Sequence, residues 1–162
     1  VKAGFVTMVA ANYLKPKESP DAWVVEVVNT MKTGDCDKLE KLLTSFFASI
    51  PYSQRRKDDE REKERYFQYT FYLVIRMISS FTVLIEKEQS EGRVDCIIET
   101  PMFVYIFEFK RDGSATEALK QIEEKGYARE YATDNRTIYL IGCNFSSKTG
   151  TIDDWKSKGK SV

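Results

Sequence analysis

Hydrophobic positions change period along the chain, from three-and-four spacing in the first half to alternation and short apolar runs in the second. Leu39, Leu42, Leu43, Phe46, Phe47 and Ile50 form one stripe, so residues from about Asp37 to Ile50 are expected to be an amphipathic helix ended by Pro51. Before it, Ser19-Pro20-Asp21 places an N-cap serine and a first-turn proline at the head of a helix running to about Lys32 and stopped by Gly34. Residues 1–18 read as a short strand or arm over Gly4 to Ala10 and a connector. Arg55 to Arg65 holds charged residues alone, six basic and five acidic, and runs straight into the apolar stretch Tyr66 to Ile75. The two together read as one long helix, solvated at its start and buried further on.

From Phe81 the pattern is that of strands. Phe81 to Glu88 is the first, followed by a turn over Gln89 to Gly92. Arg93 to Thr100 is the second, broken at Pro101, and Met102 to Lys110 is nearly continuously apolar, as a central strand would be. After Asp112-Gly113, the capping box Ser114-x-x-Glu117 opens a helix expected to reach about Thr133, with Ala115, Ala118, Leu119 and Ile122 on its inner face. Thr137 to Cys143 is a fourth strand, and Thr151-x-x-Asp154 is read as the cap of a last turn before a lysine-rich tail. The order helix, three strands, helix, strand predicts an α/β unit with a mixed sheet, its second helix a crossover between parallel strands.

Composition narrows the chemistry. Among 162 residues there is no histidine, which removes Ser-His-Asp and Cys-His catalysis, histidine-ligated zinc and any imidazole base. Lys plus Arg and Asp plus Glu are 25 each, so no global basic excess steers a phosphate backbone. Cys36, Cys96 and Cys143 are too dispersed for a zinc site and read as reduced, buried residues of a cytoplasmic protein. No stretch approaches the ~20 apolar residues of a membrane span. The start at Val1, without Met or signal pattern, reads as that of a piece cut from a longer chain.

The remaining chemistry lies on carboxylates and lysine. Glu108 and Lys110, two apart, share one face of the third strand, and Phe107 and Phe109 share the other. An ionised pair on a buried strand is costly unless it pairs or binds something. If the second and third strands form a hairpin around Thr100-Pro101-Met102, Asp95 comes close to Glu108. Two carboxylates beside a lysine suit Mg²⁺ or Mn²⁺, with the lysine orienting a water that attacks a phosphodiester. Of Glu86 and Glu88 on the first strand one could face the site, though alternation toward solvent is the preferred reading; Glu99 reads as a strand-edge surface residue, and Tyr127 and Tyr131 mostly as core, with stacking on bases as the alternative.

Gly92-Arg93-Val94-Asp95, twelve intervening residues and Glu108-Phe109-Lys110 resemble the PD-(D/E)xK nuclease superfamily, with Val94 in place of the motif's proline. Arg65-Tyr66-Phe67-Gln68, Tyr105 to Lys110, Ala118 to Glu123, Tyr127 to Tyr131 and Ile138 to Gly142 are similar to a bacterial branch in which this domain follows an AAA-ATPase-like domain. The resemblance covers about residues 60–156. It implies a restriction-endonuclease-like αβββαβ core, with a central mixed sheet flanked by helices, over 55–162, and an N-terminal helical connecting region over 1–54. It further implies Asp95, Glu108, the Phe109 carbonyl and Glu64 as ligands of Mg²⁺ or Mn²⁺, Lys110 as the catalytic lysine, and Gln121 beside them. The expected activity is phosphodiester hydrolysis, with nucleic acid, DNA above all, as substrate, in a cytoplasmic protein whose partner is the upstream ATPase-like domain; dimerisation is left open. The alternatives are a catalytically silent module of the same fold that binds or regulates the ATPase-like domain, and a purely structural α/β domain.

Overall fold

The computed structural model describes residues 20–49, 68–76 and 81–160. The expected strand over Gly4 to Ala10, the charge run Arg55 to Arg65 and Glu64 lie outside the described residues. The chain divides into two compact units, residues 1–80 with 147–152, and residues 81–146 with 153–162.

In the first unit, helix α1 spans Pro20–Thr33 and α2 spans Cys36–Ser49. Gly34, at φ +76, takes the left-handed conformation that ends α1, and its N–H donates to the Thr30 carbonyl. The apolar stripe of α2 is the buried one: Leu39, Leu43, Phe46 and Phe47 are all in the core, with Trp23 of α1 stacked on Phe46 at 5.0 Å between ring centroids. Residues 68–76 form a third helix, α3, whose Phe71 stacks on Phe47.

The second unit is a five-stranded sheet in the order β1-β2-β3-β4-β5, with β1 Thr82–Gln89, β2 Gly92–Glu99, β3 Phe103–Arg111, β4 Thr137–Phe145 and β5 Ile152–Lys160. β1, β2 and β3 are antiparallel neighbours, while β3 and β4 run parallel and are joined through helix α4, Ala115–Glu124. The αβββαβ order is therefore present, with a mixed sheet. Period-two alternation sorts β3 into two faces. Val104 and Ile106 join Ile97, Ile138, Leu140 and Ile122 of α4 in one buried cluster. Tyr105, Phe107 and Phe109 join an aromatic layer on the other face, with Tyr139, Phe145 and Trp155.

The β2–β3 turn fixes the register on which the candidate site depends. Thr100 Oγ1 accepts the Phe103 N–H at 2.9 Å, and the Thr100 N–H donates to the Phe103 carbonyl at 2.9 Å. Arg136 clamps this turn, donating to the Thr100 carbonyl, to Glu99 and to both oxygens of Asp134. A slip of one residue here would carry Glu108 and Lys110 to the aromatic face. Glu99 corrects its expectation: it is half-buried, bonded to Arg136 and to the Tyr131 hydroxyl at 2.9 Å.

Two further expectations change. Helix α4 stops at Glu124 instead of near Thr133, because Gly126 adopts φ +62. The Gly126 N–H donates to Glu123 and the Tyr127 N–H to Ile122, the paired C-terminal bonds of a Schellman motif, and the apolar contact of that motif is Tyr127 on Ile122. The segment from Thr151 is a strand and no helical cap. Trp155 is buried on the aromatic layer, while Asp154 accepts the Ala115 N–H at 2.8 Å, so alternate residues of β5 serve opposite faces. Lysines at the outer end of such an edge strand discourage pairing with another sheet. The three cysteines are buried, and among the described residues no helix is long and apolar enough to cross a membrane.

Candidate metal and catalytic centre

Glu108 and Lys110 stand at the C-terminal end of β3 on the face covered by α4, as their spacing requires. The β2–β3 ladder runs from Glu99↔Val104 to Cys96↔Phe107, so Asp95 falls opposite Glu108 one step beyond its last pair. There Asp95 Oδ2 accepts the Phe109 N–H at 2.8 Å. A side chain has replaced a backbone carbonyl as the partner of that N–H, and Asp95 is thereby held against the third strand.

Gln121 is fixed by α4. Its Oε1 accepts from Lys110 Nζ at 2.6 Å, and its Nε2 donates to Glu108 Oε1. Lys110 Nζ also lies 3.3 Å from Glu108 Oε1. The amide thus presents its oxygen to the ammonium and its nitrogen to the carboxylate, and only one orientation of Gln121 satisfies both. The sequence-derived Asp95, Glu108, Lys110 and Gln121 are therefore brought together, and the Phe109 carbonyl belongs to the residue between Glu108 and Lys110. Tyr127 and Tyr131 are core residues.

The Gln121 and Lys110 contacts to Glu108 both fall on Oε1. Oε2 is buried without a hydrogen-bond partner, on a residue 3% exposed. An orphaned carboxylate oxygen is unfavourable in an interior. Burial, with the neighbouring Asp95 charge added, pushes the Glu108 carboxyl up to about 8, against the pull of Lys110 and the Asp95 N–H. Burial also raises Asp95, opposed by the Phe109 N–H, Lys110 and Arg93 and assisted by Glu86. Two carboxylates that burial drives toward their neutral forms, one with an unclaimed oxygen, fit a hard divalent cation that would keep both ionised. Among the described residues no group of three or more His, Cys, Asp or Glu side chains is arranged to hold a metal ion. Such a cation would take its remaining ligands from main-chain oxygen and water, as Mg²⁺ commonly does.

Gly142 was not legible as part of the site. It pairs with Glu108 across the parallel β3–β4 ladder. A Cβ there would meet the Ala115 carbonyl oxygen at 2.2 Å and Ala118 Cβ and Leu119 N at 3.0 Å. The missing side chain lets α4 lie on the sheet, and this sets Gln121 over Glu108 and Lys110. Gly142→Ala is expected to lose roughly 2 kcal/mol, since backbone atoms must move to admit the methyl. Urea unfolding measures this, and a midpoint equal to that of the parent would remove the steric argument.

No solved structure matches this chain significantly. An uncharacterized protein from the vnfD 5′ region of Azotobacter chroococcum mcd 1 is 30% identical over 154 residues, which cover 94% of this chain and 30% of that protein. The chain therefore spans less than a third of the length of that relative. The PD-(D/E)XK nuclease superfamily profile matches residues 62–155, a span that takes in Asp95, Glu108, Lys110 and Gln121. The chain belongs to the PD-(D/E)XK nuclease superfamily.

Proposed function

We propose that this chain carries a metal-dependent nuclease domain that hydrolyses phosphodiester bonds in DNA, residues 55–162 forming the domain and 1–54 connecting it to an upstream ATPase-like domain of a larger bacterial protein. The observation that carries this reading is the orphaned Glu108 Oε2 beside Asp95, with Lys110 and Gln121 locked to the opposite oxygen of the same carboxylate.

Asp95, Glu108 and the Phe109 carbonyl would hold Mg²⁺ or Mn²⁺, with Glu64 as a further candidate outside the described residues. Bound there, the cation supplies stabilisation of charge on the scissile phosphate. The protein's own groups do the rest. Phe109 N–H fixes the Asp95 carboxylate. Glu108 and Gln121 occupy two of the three donors of the Lys110 ammonium, which leaves one N–H to hold the attacking water. With no net charge on the chain, phosphate must be drawn locally; Lys156, Lys158 and Lys160 alternate along the exposed end of β5 and are candidates for that role.

The test is cleavage. End-labelled DNA incubated with the chain and Mn²⁺ is expected to yield shorter products that disappear with EDTA. Intact DNA at every cation concentration would reject the catalytic reading. The second reading, a silent module bound to the ATPase-like domain, draws on the zero net charge. It predicts no Mn²⁺ heat in calorimetry together with tight association to that domain.

A further inference from the structure

We propose that Tyr127 is a positioning residue of this site, its hydroxyl fixing the side-chain amide of Gln121 that bridges Glu108 and Lys110; the inference rests on the nuclease reading above. The ring of Tyr127 belongs to the buried cluster, but its hydroxyl reaches out of it. That hydroxyl donates to the Arg93 carbonyl at 3.0 Å, at the head of β2 and two residues before Asp95. The Gln121 side chain hydrogen-bonds the same hydroxyl, which stands close enough to Glu108 and Asp95 to feel both charges.

A phenol has one proton to give, and the Arg93 carbonyl takes it, so toward Gln121 the oxygen only accepts. Gln121 Nε2 carries two N–H groups: one donates to Glu108 Oε1 and the other meets the Tyr127 oxygen. Gln121 Oε1 is then left for Lys110 Nζ. The series from the Lys110 ammonium through the Gln121 amide and the Tyr127 hydroxyl to the Arg93 carbonyl runs in one direction, and a flipped amide would set its oxygen against both Glu108 and Tyr127. Tyr127 itself has little freedom. Its N–H donates to the Ile122 carbonyl at 3.1 Å, and its carbonyl accepts from Gln89 Nε2 at 3.2 Å. Gly92 makes room for the hydroxyl: a Cβ there would meet the Tyr127 oxygen at 2.9 Å. Phenylalanine would serve the packing of the cluster as well; the hydroxyl adds the bridge to Gln121 and holds the amide within the narrow range that suits both of its partners.

Single-turnover cleavage of end-labelled DNA at saturating Mn²⁺ tests the assignment. Tyr127→Phe, which keeps the ring, is expected to slow cleavage about tenfold. In a Gln121→Ala background the same substitution is expected to change the rate less than about twofold, since the hydroxyl acts through the amide. A merely structural hydroxyl would slow both backgrounds by one factor. Tyr131→Phe removes the hydroxyl of another buried tyrosine, bonded to Glu99, and is expected to keep the parental rate. Gly92→Ala, whose methyl displaces the Tyr127 hydroxyl, is expected to repeat the loss, and it decides the matter if thermal melting shows Tyr127→Phe unfolded. A parental rate in the variant tested, or an equal loss with and without Gln121, overturns the role of Tyr127 and leaves the nuclease reading standing. A parent chain that leaves DNA intact overturns both.

Discussion

Lys110→Ala is expected to lower Mn²⁺-dependent DNA cleavage by about a thousandfold or more, and Glu108→Ala by a similar factor. The two losses have different origins. Removing the ammonium takes away the donor that holds the attacking water, and it leaves Gln121 Oε1 without the partner it now has at 2.6 Å. The cation site is untouched, so Lys110→Ala should bind Mn²⁺ with an affinity close to that of the parent. Removing the Glu108 carboxylate takes away a ligand, so cleavage and Mn²⁺ affinity fall together. Cleavage rates under single-turnover conditions and Mn²⁺ titration of each variant separate the cases. Folding is controlled by thermal melting, since Lys110 sits at a partly exposed strand end and its truncation opens no core cavity. A Lys110→Ala chain that melts like the parent and still cuts at the parental rate would end the assignment of the lysine.

Local periodicity and the count across the β2–β3 hairpin were legible in the sequence, whereas the end of α4 and the edge strand β5 were not. Spacing alone puts Glu108 and Lys110 on one face of β3, and the ladder bears that out. The capping box was legible for the same reason: the Ser114 side chain accepts the Glu117 N–H at 3.1 Å, and Glu117 lies three residues on. The premature end of α4 could have been read from Gly126, but the apolar spacing through Tyr127 and Tyr131 imitates a continuing helix, and the Schellman bonds that prevent it are invisible without coordinates. β5 was missed because five of its nine residues are Asp or Lys; it is an edge, and its alternation shows only in Trp155 and Asp154, which face opposite ways.

Glu108→Gln should make the metal-free chain more stable at alkaline pH while abolishing its cation site. The sign follows from the raised carboxyl. In the folded chain Glu108 holds its proton up to about pH 8, whereas in the unfolded chain it ionises near its ordinary 4.5. Below pH 4.5 both states carry the proton and the group costs nothing. Between 4.5 and 8 unfolding releases that proton, so stability falls steadily as pH rises, and above 8 the loss is complete. At 1.36 kcal/mol per pH unit the interval sets a ceiling of about 4–5 kcal/mol. Glutamine keeps the shape and the neutral state, and its amide can occupy the position of the protonated acid. Urea midpoints of the parent, taken in EDTA at pH 6 and pH 8.5, should therefore differ in favour of pH 6, and the difference should shrink in Glu108→Gln. Adding Mg²⁺ should reverse the trend for the parent alone, because cation binding requires the ionised carboxylate and its affinity rises with pH toward 8. A parent as stable at pH 8.5 as at pH 6 in EDTA, or a Glu108→Gln chain that still gains stability from Mg²⁺, would show that this carboxyl is neither the burdened acid nor the ligand. The opposed pH slopes with and without cation tie the stability of the fold and the chemistry of the site to one buried oxygen.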